Sequence, residues 1–479
     1  MPSFAFLSLL GLLFCTTGLG QNYHAIEGSP YAGSMGVSNN PASIVNTPLK
    51  WDLTLFSAQV KNSTNAATLY NFSLISHSDS VYDKFNNGNY KRFAGFNANI
   101  HLLNARIAIG RKQAISFGVN FRSYGLAKSG DVNYNDSVQN MNQFFNINAT
   151  TTYNANMVSS SWFELFATYS RTLLDNERGR LNAGITLKGT RGVSGEMAQL
   201  KAGSVKRDVS GDLTYYVLNA GSARYGYSSN FDRWHNTNST MENLKNLIGN
   251  SRPGASVDFG AEYLVKTQAI TFVTDPDTYN EYEWKIGVSL LDVGQNVYKY
   301  GTQSRAASGP KSNVADSTLN LKFDNVGTLA QFNDSLATIV NSIYALSGLF
   351  KVWNPTRLVI NVDRPLGDHW SVNGNLSLNL TGSNNGKQYF AKDFTLLSLT
   401  PRWETQNLGA YLPVQVTYQG KVWVGGAFKA GPLLVGIHNW ENVFSKTKML
   451  NGGFYLAVII HPGLGFRAKE NKQYSCPKN

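Results

Sequence analysis

The chain has little of what would staple, anchor or activate an ordinary protein of 479 residues. Only two cysteines occur, Cys15 and Cys476. Cys15 lies in an N-terminal segment, residues 1–20, that reads as a removable signal peptide, so the mature chain keeps one thiol and no internal disulfide. Past that segment there is no run of ~18 apolar residues, which excludes a membrane-spanning helix. Charged residues make up 15% of the chain, against roughly 25% in a typical soluble domain. The charge leans positive, with 42 Lys+Arg against 30 Asp+Glu for a net +12. These cations are scattered singly, without the clusters of a nucleic-acid footprint. No nucleic-acid partner is expected; a diffuse positive charge suits outer-membrane lipid headgroups and lipopolysaccharide.

Motifs for chemistry are also missing. Gly192-Val193-Ser194-Gly195 has the wrong spacing for a G-x-S-x-G nucleophile elbow. No H-E-x-x-H occurs, and the seven histidines show no metal-ligand spacing. Gly382 to Lys387 is one residue short of a phosphate loop, and Gln388 stands where Ser or Thr would hold magnesium, so it reads as a hairpin loop. Neither a catalytic residue, a metal nor a cofactor is expected. A membrane-embedded hydrolase is the third functional reading, and it lacks a nucleophile motif.

What is present begins with an address. Phe4 to Phe14 has the length of a signal-peptide core, and Gly18 and Gly20 occupy the −3 and −1 positions before Gln21. No Lys or Arg precedes it. Phe14 stands where lipidation at Cys15 would need a small residue. Beyond it the dominant signal is alternation over segments of about ten residues, the length a tilted strand needs to cross a bilayer. Trp370, Val372, Leu376, Leu378 and Leu380 alternate with Ser371, Asn373, Asn375, Ser377 and Asn379. Leu181–Lys188 and Ile115–Arg122 repeat the pattern. Aromatics gather at strand ends, with Trp51, Trp162, Trp284, Trp370 and Trp403 read as an interfacial girdle. Short turns, Asp175–Gly179 and Arg364–Asp368, interleave with long polar inserts at about 126–158, 192–253 and 295–354. We count fifteen strand candidates between Lys50 and His461. A single-chain bacterial barrel with both ends on one side needs an even number, so ~14 are expected. The doubtful regions are 50–75, where the apolar phase flips near Phe56, and 140–160, where a strand could hide. Helical periodicity joins Leu329, Phe332, Leu336, Val340, Ile343 and Leu346, and a shorter helix is hinted by Met241, Leu244 and Leu247.

The fold expected is an all-β transmembrane antiparallel barrel with a few loop helices, spanning residues 50–464 and followed by a tail at 465–479. On its polar strand faces fall Arg122, Glu164, Lys188, Asp258, Glu262, Lys285, Asp363, Arg402 and Glu404. Facing lipid, such charges would cost about 2–4 kcal/mol near the midplane, so they are assigned to the lumen. There they either pair across a hydrated interior or line it for solute selectivity.

Gly33 to Ala42, G-S-M-G-V-S-N-N-P-A, resembles the segment before the first strand of FadL-like barrels. These are the long-chain fatty-acid transporters and the related type IX secretion component PorV. Thr400-Pro401-Arg402-Trp403-Glu404, Gly409 to Pro413, Ala430 to Leu433 and Ser289 to Gly294 are similar to an uncharacterised FadL-like group. The resemblance implies a small plug at residues 21–49, joined to the barrel through Asn40-Pro41-Ala42; by residue type alone that tripeptide is also an ordinary turn. It further implies location in the outer membrane of a Gram-negative bacterium. The leading functional reading is a transporter or channel for a small amphipathic or hydrophobic solute. The alternative is a non-conducting accessory barrel that meets partner proteins through its long outer loops.

Overall fold

A computed structural model of the protein describes residues 23, 25–71, 81–235, 237–266, 282–367, 369–384, 388–440 and 451–462. The expected signal peptide, both cysteines and the 465–479 tail lie outside them.

Fourteen strands close into one antiparallel barrel. In chain order they are Trp51–Thr64, Gly88–Ala108, Gln113–Tyr134, Tyr153–Asp175, Gly179–Ser210, Arg252–Val265 and Trp284–Lys299. The eighth is Leu349–Trp353 continued by Arg357–Gly367, followed by Trp370–Asn379 and Leu396–Glu404. The next two are broken by one or two residues: Leu408–Tyr411 with Val414–Thr417, and Val422–Val424 with Gly426–Ala430. Leu433–Ile437 and the split strand Asn451–Gly452, Phe454–Ile460 complete the ring. Closure is antiparallel, with Leu53 opposite Ile460 and Gln59 opposite Tyr455. An even count leaves both barrel ends at the same rim, here called the base.

The two doubtful regions resolve locally. The phase flip near Phe56 is a bulge, with Thr54 opposite Ile459 and Phe56 opposite Val458. A bulge puts one extra residue in a strand, so Leu55 and Phe56 both face outward. Within 140–160, Met141–Ile147 is a helix started by Asn140, whose side chain accepts from the Gln143 amide at 3.0 Å.

The barrel is apolar outside and polar within, the reverse of a soluble core. Leu165, Leu187 and Phe428 are 65%, 62% and 65% exposed on the outer face. Asn182, Thr186, Asp363 and Arg402 are fully buried on the inner one. Period two separates the faces. Trp51, Trp284, Trp370 and Trp403 all lie at base ends of strands, with Trp370 directly opposite Trp403. The Arg364 guanidinium stands 4.5 Å over the Trp284 ring. Trp162 does not belong to this girdle: it is completely buried. It lies two residues from Glu164 and so shares its inward phase, whereas its neighbour Phe163 faces out.

Most base turns are short, such as 109–112, 176–178 and 405–407. The connection 266–283 is longer and mostly outside the described residues. At the other rim, the top, the expected long inserts are in good part sheet. Gly179–Ser210 runs on past the barrel and pairs with Leu213–Tyr227. That strand pairs in turn with Arg305–Pro310, and the latter with Val340–Ala345. Helices Met141–Ile147, Asp316–Phe323 and Leu329–Ile339 cover this extension around a core that includes Phe145, Val205, Tyr216, Leu319 and Leu336. The helix expected through Leu346 therefore stops at Ile339. β-Branched Val340 and Ile343 take the ladder offered by Pro310 and Ala307 instead. A capping box between Thr328 and Gln331 fixes its start. The shorter helix forms at Thr240–Gly249 and leaves Met241 and Leu244 exposed.

Candidate functional site

The lumen is occupied by the chain's own N-terminal segment, described at residues 23 and 25–49. Two short 3-10 helices, Gly33–Ser38 and Pro41–Val45, make up its centre. Pro41 opens the second, where its missing N–H costs nothing. Asn40 caps it: the Ala42 amide donates to Asn40 Oδ1 at 2.9 Å. The same side chain reaches the wall, donating from Nδ2 to the Ala261 carbonyl at 3.0 Å. Three wall glycines make room for this tripeptide. A Cβ at Gly184 would stand 2.6 Å from the Pro41 carbonyl carbon. At Gly260 it would lie 2.1 Å from Asn40 Oδ1, and at Gly287 2.8 Å from Asn40 Nδ2. Gly184 and Gly260 are direct partners on adjacent strands.

Short 3-10 helices leave many carbonyls without internal partners, and buried carbonyls need donors. The wall supplies them. Arg106 donates to the carbonyls of Ile44 at 2.6 Å and Leu49 at 2.9 Å. Ser289 Oγ donates to Asn39 O at 2.6 Å and Ser170 Oγ to Ala42 O at 3.2 Å. Arg357 donates to Ser38 O at 2.9 Å, Arg402 to Glu27 O at 3.3 Å, and Lys285 to Gly28 O. Asp52 accepts from the Ser34 amide at 2.6 Å. The segment also meets an apolar patch of the wall, beside the buried Lys429. There Tyr23, Ile26, Ala32 and Met35 pack on Leu434, Tyr455, Ala457 and Ile459.

All nine charges assigned to the lumen from sequence are buried. Eight of them fall into two groups. In the first, Arg122 pairs with Asp292 through Nη1 and through Nη2 at 2.8 Å, and stands 3.6 Å from Glu164. Lys188 lies 2.7 Å from both Asp258 and Asp292. The Asp292 amide closes this group by donating to Asp258 Oδ1 at 2.7 Å. In the second, Arg402 grips Asp363 with two bonds of 2.8 and 2.9 Å and Glu404 with one of 2.8 Å. Lys285 stands 3.9 Å from Asp363, and Tyr282 donates to the same carboxylate at 2.6 Å. Glu262 belongs to neither group; Asn182 Nδ2 approaches it at 3.4 Å. Over the first group sits an aromatic layer. Tyr124 and Trp162 stack at 5.5 Å, with the Arg122 guanidinium 5.3 and 5.5 Å from the two rings. Tyr298, Phe350 and Tyr389 continue the layer. Trp162 Nε1 donates to Glu164 at 3.1 Å.

Among the buried charges that sequence reading missed, five form the hub and two pairs described next. Asp292 is the hub of the first group and sits at φ +60°, a backbone region that aspartate tolerates better than most residues. A register shift between Leu290 and Val293 produces it. Its signal was the doublet Leu290-Leu291, which breaks the alternation. Asp52 with Arg106, at 3.4 Å, and Arg357 with Asp393, at 3.3 Å, form two further pairs. Arg357 shares its strand face with Asp363 and was findable by the same parity.

Beside the segment lie cavities, two of them each of about 30 Å³, which is room for a water or two. One is lined by Asn104, Asn120, Glu164, Lys188, Asp258 and Asp292, among others, and the second by Glu27, Asn40, Glu262 and Lys285. Among the described residues, no three His, Cys, Asp or Glu side chains are grouped to hold a metal ion.

Residues 41–437 match a family of unknown function, DUF5723. No curated protein matches the chain. Among solved structures it is similar to a deletion mutant of the TodX monoaromatic hydrocarbon channel, at 11% identity and a TM-score of 0.40, covering 89% of this chain and 97% of that one. It is similar to a Pseudomonas aeruginosa FadL homologue at 10% identity and a TM-score of 0.40, covering 93% and 100%. The CymD monoaromatic hydrocarbon channel follows at 8% identity and a TM-score of 0.31, covering 92% and 100%.

Proposed function

The chain belongs to the DUF5723 family, and from its own geometry we propose that it is an outer-membrane barrel of a Gram-negative bacterium that passes a small amphipathic solute, with its N-terminal segment as a plug. The observation that carries this reading is how the lumen is filled. The segment, described at residues 23 and 25–49, meets charged groups of the wall at its carbonyls and an apolar patch elsewhere. The charged groups are Arg106, Lys285, Arg357 and Arg402, which grip the segment by its carbonyls. The apolar patch is Leu434, Tyr455 and Ile459. A solute moving past them meets both characters, which suits an amphipathic molecule. The outward apolar belt and base-end tryptophans support insertion in a bilayer, and the net +12 suits anionic headgroups.

Single-channel recording in planar bilayers tests the reading. The full chain is expected to be nearly silent, and a variant lacking residues 23–46 to give stable conductance steps. A folded deletion variant that stays silent would sink it.

A second reading, an accessory barrel of the PorV kind, is favoured by the top extension, which has its own apolar core. Helix Thr240–Gly249 also turns Met241, 61% exposed, and Leu244 to solvent. Stoichiometric partners co-purifying in mild detergent, together with no conductance from the deletion variant, would favour that reading.

A further inference from the structure

The barrel wall carries its apolar side chains outward, and one piece of the top connections repeats that inversion. Helix Thr240–Gly249 presents Met241, Leu244 and Ile248 at i, i+3 and i+7, a single helical face. These side chains are 61%, 42% and 37% exposed. The other side of the helix holds Asn243, which is buried. Asn243 serves the preceding turn: its Nδ2 donates to His235 O at 2.8 Å, and its Oδ1 accepts from the His235 amide at 3.1 Å. A surface helix in water buries its apolar face and exposes its polar one. This helix does the reverse.

Its place on the barrel supplies a reason. Asn230 Nδ2 donates both to Leu247 O of the helix at 2.7 Å and to Val193 O of the wall at 2.9 Å. Gly192 and Gly195 look onto Tyr298 in the lumen. Val193, next to Gly192, therefore faces outward, yet it is buried. The helix thus lies against the outer side of the wall strand Gly179–Ser210. Its height follows from the register. Arg191, two residues below Val193, is opposite Phe163, and the next outward residues down these strands are Leu165 and Leu187 of the apolar belt. After the helix the chain enters Arg252–Val265, whose exposed outward row of Pro253, Ala255, Phe259 and Tyr263 runs down that belt. The apolar face of the helix continues the belt at its top edge. Trp234 in the same connection is exposed, and tryptophan favours a membrane–water interface. The exposed charges here are Arg233, Lys245 and Arg252 against one acid, Glu242. Asp232 is engaged, accepting from the Thr302 amide at 2.9 Å.

We propose that helix Thr240–Gly249 lies in the plane of the bilayer interface at the top rim, with Met241, Leu244 and Ile248 against acyl chains and its cations at anionic lipid phosphates. An apolar stripe flanked by cations is what such a surface recognises. The inference rests on the reading of this chain as a bilayer-inserted barrel, and it stands whether or not the barrel conducts.

Spin labels on single cysteines test it in the full chain, with Cys15 and Cys476 changed to serine. The vesicles are phosphatidylcholine with or without phosphatidylglycerol. Collisions with oxygen, which concentrates among acyl chains, are compared with collisions with a water-soluble nickel chelate present on both sides. The oxygen-to-nickel ratio at Leu244→Cys is expected to be several-fold above that at Glu242→Cys and to rise with phosphatidylglycerol. Met241→Cys replaces Leu244→Cys if the latter does not fold. Leu187→Cys, on the outer face of the belt, is the control. A lipid-like ratio at Leu187→Cys with an aqueous one at Leu244→Cys would overturn the helix assignment alone. Shielding of Leu244→Cys from both reagents would overturn it too, because a protein would then cover the face. An aqueous ratio at Leu187→Cys would overturn barrel insertion and this inference with it. A ratio indifferent to phosphatidylglycerol would overturn the assignment of the cations to lipid phosphates.

Discussion

Replacing Gly184 with alanine puts the plug's seat to a direct test. The added Cβ would stand 2.6 Å from the Pro41 carbonyl carbon and 2.7 Å from both Pro41 O and Ala42 N. These are backbone atoms, so no side-chain rotation relieves the clash. The wall strand Gly179–Ser210 is laddered on both sides and cannot retreat. The plug must therefore move by close to 1 Å to restore ordinary van der Waals distance. That shift strains three bonds at or next to the tripeptide: Asn40 to Ala261 O at 3.0 Å, Ser170 to Ala42 O at 3.2 Å, and Ser289 to Asn39 O at 2.6 Å. Each contributes on the order of 1 kcal/mol net. Losing two or three removes about 2–3 kcal/mol from docking, or roughly 30- to 150-fold in the docked-to-undocked ratio. The assay is open probability in planar bilayers, together with protease cleavage within residues 23–49. Gly189→Ala is the control, because it lies on the same strand and its Cβ would meet nothing within 4 Å. Gly184→Ala with the conductance and cleavage pattern of the control would refute the seat.

Other perturbations probe separate parts of the structure. Asp292→Asn keeps a residue that tolerates φ +60° but leaves Lys188 and Arg122 with one carboxylate fewer. A destabilisation of about 3–5 kcal/mol is expected for a broken buried pair, seen as a lower denaturant midpoint for the folded gel band; an unchanged midpoint would contradict the hub assignment. Thr328→Ala removes the capping box at Leu329–Ile339 and should cost about 1 kcal/mol. The cost should appear as faster amide exchange in the top extension and not in the barrel strands. In the loops at the top rim, the Lys84 ammonium hydrogen-bonds Asp136 and holds its carboxyl below the ordinary carboxylate range, while Asp136 pushes Lys84 up. The lowered acid makes the contact full above the ordinary carboxylate value and lost as pH falls through the depressed one. Local amide exchange near Asp136 should therefore quicken only in strong acid, and a quickening already in mild acid would refute the pairing.

The parts of this fold that were legible in the sequence share one cause. A strand with hydrocarbon on one side and polar groups on the other writes its orientation into every second residue. Lys188, Asp258 and Asp363 could be placed inward for that reason alone. Where the outer face no longer meets an apolar phase, the code lapses. Beyond Gly192 the strand's buried side chains, such as Met197 and Val205, pack on the aromatic layer and on loop helices without a strict alternation, so its continuation to Ser210 looked like an insert. Helical spacing at Leu329–Ile339 ran on by accident into Val340 and Ile343, because residues three and four apart also recur in short strands; pairing with Arg305–Pro310 decided between the two. Trp162 was misplaced by residue type, since tryptophan at a strand end suggests an interface, although parity with Glu164 pointed inward. Asp292 shows the opposite lesson. Its neighbours break the alternation, and that break, read as a bulge, would have turned an apparent defect into the centre of the charge group. In such a barrel, departures from period two carry as much information as the period, because a bulge re-aims one side chain while leaving the ladder on both sides intact.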